Sequence, residues 1–245
     1  MPNHIQNKLV VTGKENDIKI FLGKIKNDDD NECIDFNKIT PMPSILKDTI
    51  EGSKTNNAIY YYLYTDNKQE YIPKMLSSSH IYSIDRFKNY TKEELKEYFE
   101  IGKKYFEIYK ETNSVTWYDF SIKNWGTKWN AYETYADDIV SLNDDGDTHE
   151  VTMYFQTAWN GVPMLIEKLI YMFPNLYFDY KYADENIACN CGEGYGNEEQ
   201  GFYFDMFEKN SNEAFECYLE CWQDEKENFV FYDGYWTYKD NIEEE

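Results

Sequence analysis

The chain has 245 residues, a net charge of -22 and an aromatic content of 18%, so it can bury one large core or two small ones and is too aromatic for a disordered acidic chain. It lacks an apolar run long enough for a membrane span and opens without a basic-then-apolar leader, and its negative field repels nucleic acid and anionic membrane surfaces alike. Five cysteines, at 33, 189, 191, 217 and 221, are too few and too odd in number for a disulfide scaffold, so reduced thiols and a cytoplasmic setting are expected.

In chain order, Ile5 to Thr12 reads as a first strand ending at Gly13, and a helix capped by Asn16 carries Ile18, Phe21, Leu22 and Ile25 before Asn27-Asp28-Asp29-Asp30 breaks it. Pro41 and Pro43 hold an extended segment, and residues 44–90 show no regular pattern. Thr91 with Glu94 forms a capping box for a helix over 91–110 lined by Leu95, Tyr98, Phe99, Tyr105, Phe106 and Tyr109. Strands are expected at 115–123 and 150–158, with a turn at Asn143–Asp147 between them. A helix begins near Pro163 and stops at Pro174. Strands follow at 176–182 and 201–207, then a helix over 211–223 and a hairpin, 229–232 with 235–238, turning at Asp233-Gly234. Ala214, Phe215, Tyr218, Leu219 and Trp222 form the inner side of that last helix, with Glu213, Glu216 and Glu220 outside. The order implies an α+β sandwich of split βαβ type, a mainly antiparallel sheet with helices on one face.

Three stretches carry a resemblance. Pro2-Asn3-His4-Ile5-Gln6-Asn7 within the opening Met1–Gly13, then Phe36 to Pro43, and Asn124-Trp125-Gly126-Thr127-Lys128-Trp129-Asn130-Ala131 with Phe155-Gln156-Thr157-Ala158-Trp159 resemble the YubB-like ferredoxin-like family of phages and conjugative plasmids. The family usually has Trp-Cys where this chain has His4-Ile5. The resemblance implies a ferredoxin-like fold and residence on a mobile element in a bacterial host; it implies no reaction. On this reading residues 1–183 form the ferredoxin-like body, with an inserted helical segment at about 85–112, and 184–245 form an acidic helix and hairpin packed on the same domain.

That C-terminal stretch holds eighteen acids against Lys209, Lys226 and Lys239, which puts -15 of the -22 there. Cys189, Cys191, Cys217 and Cys221 are weak zinc candidates, because the first pair is separated by one residue where zinc knuckles use two to four; buried small hydrophobes is the better reading. Asp144-Asp145-Gly146-Asp147 with Glu150 has oxygen ligands but no EF-hand spacing and reads as a solvated turn. Gly192-Glu193-Gly194-Tyr195-Gly196 lacks the Lys-Ser/Thr of a phosphate loop and reads as a flexible connection. Trp125, Trp129 and Trp159, with Lys128 and Asn130, either line a pocket or close the core. His4, His80 and His149 have no motif partner.

No cofactor, catalytic residue or metal is therefore expected. The favoured expectation is a non-catalytic accessory protein of a phage or plasmid that inhibits a basic host nuclease or CRISPR effector by mimicking nucleic acid. Glu213, Glu216, Glu220, Asp224, Glu198 and Glu199 are its candidate acids, with Trp125, Trp129 and Trp159 also candidates for binding. The alternatives are a small-molecule or metal-dependent enzyme with a tryptophan-lined pocket, and a structural module whose charge only confers solubility. Acids along a ridge favour mimicry; acids gathered in a cleft favour chemistry.

Overall fold

The computed structural model describes residues 2–27, 32–77, 81–143 and 146–242. The chain forms two compact units, one from Met1–Pro41 with Asn124–Glu245 and one from Met42–Lys123. The helical insertion is thus longer than the 85–112 segment that periodicity marks.

The first unit begins with β1 (His4–Gly13), α1 (Glu15–Ile25) and α2 (Phe36–Ile39). It resumes after the insertion with β2 (Tyr132–Ala136), β3 (Val140–Ser141) and β4 (His149–Ala158). The helix α8 (Pro163–Met172) then leads to β5 (Tyr177–Asp184), β6 (Gly192–Asn197) and β7 (Gly201–Met206), and α9 (Asn212–Trp222) to the hairpin β8 (Phe229–Tyr232) and β9 (Tyr235–Tyr238). The main sheet runs β2-β4-β1-β5-β6-β7, with β3 beside β4.

Strand β1 is antiparallel to both neighbours, from His4↔Ala158 to Gly13↔His149 on one side and from Ile5↔Asp184 to Thr12↔Tyr177 on the other. So β4 and β5, joined through α8, flank β1; β1 and β2, joined through α1 and the insertion, flank β4. Two interleaved split βαβ units are the ferredoxin-like topology.

Side-chain alternation divides the sheet. Ile5, Leu9 and Val11 share a buried face with Met153, Phe155, Phe178 and Tyr180. There α1 packs Phe21 against Phe178 and Phe173, at ring separations of 5.7 and 5.1 Å, and the N–H of Val162 at the start of α8 donates to the Tyr180 hydroxyl at 2.7 Å. Lys8 and Lys181 point to the opposite face, and both meet Glu220 of α9, so the acidic C-terminal helix covers the other side of the sheet. Its Ala214, Phe215, Cys217, Tyr218, Leu219 and Cys221 are buried with Ala183, Ala188, Cys191 and Phe229. Trp236 of the hairpin stacks on Phe215 at 3.7 Å, and Asp233 and Gly234 take the left-handed angles of the tight turn.

The second unit contains α3 (Ser44–Lys47), α4 (Ser53–Thr65), α5 (Ile72–Met75), α6 (Lys92–Thr112) and most of α7 (Trp117–Trp125). Ile59, Tyr62, Leu63, Phe87, Tyr105 and Phe106 lie in its core. The capping box is formed: Glu94 N–H donates to Thr91 Oγ1 at 3.2 Å, and Thr91 N–H donates to Glu94 Oε2 at 2.7 Å. Thr91→Ala is expected to cost the unit about 1 kcal/mol, read as a lower urea midpoint; an unchanged midpoint would mean that α6 does not depend on its cap.

Four expectations change. The expected strand at 115–123 is helix α7. Its Asp119 N–H bonds Thr116 Oγ1 and its Ser121 hydroxyl bonds Trp117 O, local bonds that override the strand preference of a Val-Thr-Trp-Tyr run. The patternless 44–90 contains α4, where six consecutive residues, Ile59 to Tyr64, are apolar or aromatic and blur the period. Helix α1 begins before Asn16, after Lys14. The glycine-rich 192–196 is strand β6: Phe202 and Phe204 of β7 lean across it, leaving no room for a side chain at Gly194, whose Cβ would lie 2.5 Å from the Phe202 ring.

Asp28 to Asp30, His80, Asp144 and Asp145 lie outside the described residues. At the described ends of the Asn143–Asp147 turn, Leu142 N–H bonds Thr148 O at 2.9 Å. Among the described residues no helix is long and apolar enough to cross a membrane.

Candidate functional site: an acid-lined groove

Beyond the edge of α9, the face that carries Lys8 and Lys181 is open over β5, β6 and β7. Register places Lys8, Lys181, Glu193 and Asp205 in one cross-strand row, and Val10, Asp179, Tyr195 and Tyr203 in the next. Helix α9 walls this floor with Glu213, Glu216 and Glu220, which recur at spacings of three and four and so share a side of the helix. Lys181, Glu193, Phe207, Asn212, Glu213, Glu216, Cys217 and Glu220 line a hollow of ≈ 380 Å³.

The charges within it are not equivalent. Glu220 is held between Lys8 (3.3 Å) and Lys181 (2.7 Å); burial pushes its carboxyl up, but the two lysines outweigh this and leave it below the usual range. Glu193 and Asp179 are raised, chiefly by partial burial, with Lys181 opposing. Glu216 pairs with Lys226, and among the described residues Glu213 has no ion pair. Tyr195 and Tyr203 lie 5.2 Å apart on the floor and are about half exposed, two ring faces open to a cation.

Other candidate acids lie elsewhere. Glu198 and Glu199 occupy the β6–β7 turn, at the far end of the hairpin from Glu193. Asp224 accepts from Tyr238 Oη at 3.0 Å and from Asn228 Nδ2 at 3.1 Å, so it ties the hairpin to the end of α9.

The tryptophans separate. Trp125 is buried, donates through Nε1 to Thr40 O at 2.9 Å and packs on Phe36; it is core. Trp129 and Trp159 are exposed, and the Lys128 ammonium sits between them at 4.8 and 5.0 Å. Asn130 accepts from Phe36 N–H at 2.8 Å and donates to Asp35 at 2.8 Å. Thr127 exchanges hydrogen bonds with the Ala158 backbone, and Trp159 N–H reaches Asn3 O. Most of the recognisable motif residues therefore fasten chain segments together.

Cys191, Cys217 and Cys221 are buried between α9 and β6, where Cys217 Sγ donates to Tyr182 O at 3.4 Å. Burial holds the Cys221 thiol well above its ordinary range. Cys189 is part-exposed and lines a different hollow, with Lys209 and Tyr235. Among the described residues no cluster of His, Cys, Asp and Glu could hold a metal ion.

Sequence reasoning missed three participants, Lys8, Asp179 and Lys181. Asp179 and Lys181 read only as polar positions of a strand, though their alternation with Phe178, Tyr180 and Tyr182 was a signal for an open face. His4 pairs through Nδ1 with Tyr132 Oη at 2.9 Å, and that hydroxyl donates to Thr157 O. The His4 Nδ1 is therefore the donor; burial raises Tyr132 to about 12.

Fold and site define an α+β protein of ferredoxin-like topology whose last helix, α9, walls an acidic groove over strands β5 to β7. A family model described as the ferredoxin-like domain in Api92-like protein matches residues 125–233, a span that includes the residues lining the hollow but not Lys8. Among solved structures, the crystal structure of protein api92 from Yersinia pseudotuberculosis is similar at 9% identity, covering 85% of this chain and 99% of that one with a TM-score of 0.36. No curated protein matches the chain.

Proposed function

We propose that this chain is a non-catalytic binding protein whose groove between α9 and the β5–β7 floor receives a basic segment of a partner protein. The observation that carries the reading is the gathering of Glu193, Glu213, Glu216 and Glu220 around one hollow that also holds Lys181, with Asp179, Asp205 and the accessible rings of Tyr195 and Tyr203 on the same face of the adjoining strands. A lysine or arginine entering it exchanges water for carboxylates and a ring face.

A lysine octapeptide is the simplest probe. Its affinity should fall about tenfold when salt rises from roughly 0.02 M to roughly 0.2 M. Binding needs ionised carboxylates, so it should weaken as pH falls, with onset above the ordinary carboxylate range because Glu193 and Asp179 are raised. Titration that shows no binding at low salt would end the reading.

The finer version is a mobile-element protein in a bacterial cytoplasm that occupies a host nuclease or CRISPR effector in place of nucleic acid. Net charge and the motif resemblance support it. Groove geometry supports it less, because the acids line a concavity and two of the three on α9 are ion-paired. Competition between this chain and duplex DNA for such an enzyme tests it; DNA binding unaffected by excess protein would reject it. The raised pair Asp179 and Glu193 is the observation that favours the enzyme reading.

A further inference from the structure

Strand β7 ends the main sheet and, among the described residues, pairs only with β6. Register tells which of its backbone groups face outward. Phe207 N–H bonds Cys191 O at 3.0 Å, and antiparallel pairs alternate between bonded and non-bonded. Asp205, Tyr203 and Gly201 therefore bond inward, while Phe202, Phe204 and Met206 turn N–H and C=O to the open edge. The Met206 N–H is satisfied by Asp205 Oδ1 at 2.8 Å; those of Phe202 and Phe204 face out.

Native sheets guard such edges with Lys, Pro, a bulge or a covering segment. Strand β7 contains neither Lys nor Pro and pairs with β6 in unbroken register. The opposite edge strand, β2, is interrupted by a register shift between Tyr132 and Tyr135, with Glu133 in the left-handed region. The two sides of β7 also differ in chemistry. Tyr203 and Asp205 continue the groove floor, whereas Phe202, Phe204 and the well-exposed Met206 are apolar.

We propose that the basic partner binds as an extended strand added to the free edge of β7, with cationic and apolar side chains alternating. Cations would meet Glu193, Asp205 and the tyrosine rings; apolar residues would meet Phe202, Phe204 and Met206. This rests on the groove reading and specifies the shape of its ligand. Charge favours such a peptide over a second copy of the chain, because each copy carries a net charge of -22 and the two would repel.

The probe is an eight-residue peptide of alternating Lys and Val, compared with its fully N-methylated counterpart, which keeps every charge and side chain and loses every backbone donor. The unmethylated peptide should bind the full chain at least about tenfold more tightly and slow amide exchange at Phe202 and Phe204. Equal affinities would overturn strand addition and leave the groove reading standing. Binding by neither peptide would remove both. Protection of Phe202 and Phe204 that grows with protein concentration in the absence of peptide would assign the edge to a second copy and overturn the proposal.

Discussion

Asn7→Ala is expected to remove on the order of 3 kcal/mol or more of folding stability. Asn7 lies on the buried face of the central strand β1, fully shielded from water. Its Nδ2 is within bonding distance of Ile5 O, Phe155 O and Thr157 Oγ1, at 3.0 to 3.1 Å, and its Oδ1 accepts from Tyr180 Oη at 2.6 Å. The Tyr180 hydroxyl in turn accepts the Val162 N–H that starts α8. One amide thus links β1, β4, β5 and α8 in a water-free setting. Alanine leaves the buried Tyr180 proton without its acceptor, at about 1–3 kcal/mol, removes the side-chain bonds to Phe155 O and Thr157 Oγ1 on β4, and opens a small void. Urea unfolding measures it; a loss below about 1 kcal/mol would mean that the network contributes little.

Gly102→Ala should destabilise the helical unit by about 1–3 kcal/mol, against an intrinsic helix preference that favours alanine by about 1 kcal/mol. A Cβ at residue 102 of α6 would lie 2.2 Å from Ala58 O and 2.5 Å from Tyr62 Cβ, both on α4. Neither can swing aside, since one is backbone and the other is fixed to it. The helices must separate, loosening Phe106 from Tyr62, whose rings lie 5.6 Å apart. Amide exchange over α4 and α6 should accelerate; slower exchange and a higher midpoint would show that the crossing is looser than this.

Much of the fold is legible because its signals are local. The Thr91 and Glu94 box, Pro163 at a helix start, Asp233-Gly234 at a hairpin tip and the inward face of α9 all follow from bonds within a few residues. What is not legible depends on distant partners. Nothing in Gly192-Glu193-Gly194 marks a strand until Phe202 and Phe204 lie across it. Asn7 reads as one polar step in an alternation, though it bonds residues 148 to 173 positions away. The site shows the same division. Composition locates the acid in the last 62 residues, and periodicity groups Glu213, Glu216 and Glu220. Only the sheet order brings Asp179, Lys181 and Lys8 beneath that helix, neutralising Glu220 and turning a row of charges into one wall of a hollow.

The central claim is that groove acids, and not net charge, hold a basic segment. Two double variants with equal charge change separate these: Glu193→Gln with Glu213→Gln inside the groove, and Glu198→Gln with Glu199→Gln at the far turn of the hairpin. In titration calorimetry with the lysine octapeptide at low salt, the groove variant should lose at least about tenfold in affinity and the turn variant no more than about twofold. Equal losses in the two would contradict the account and return the acidity to a diffuse surface property.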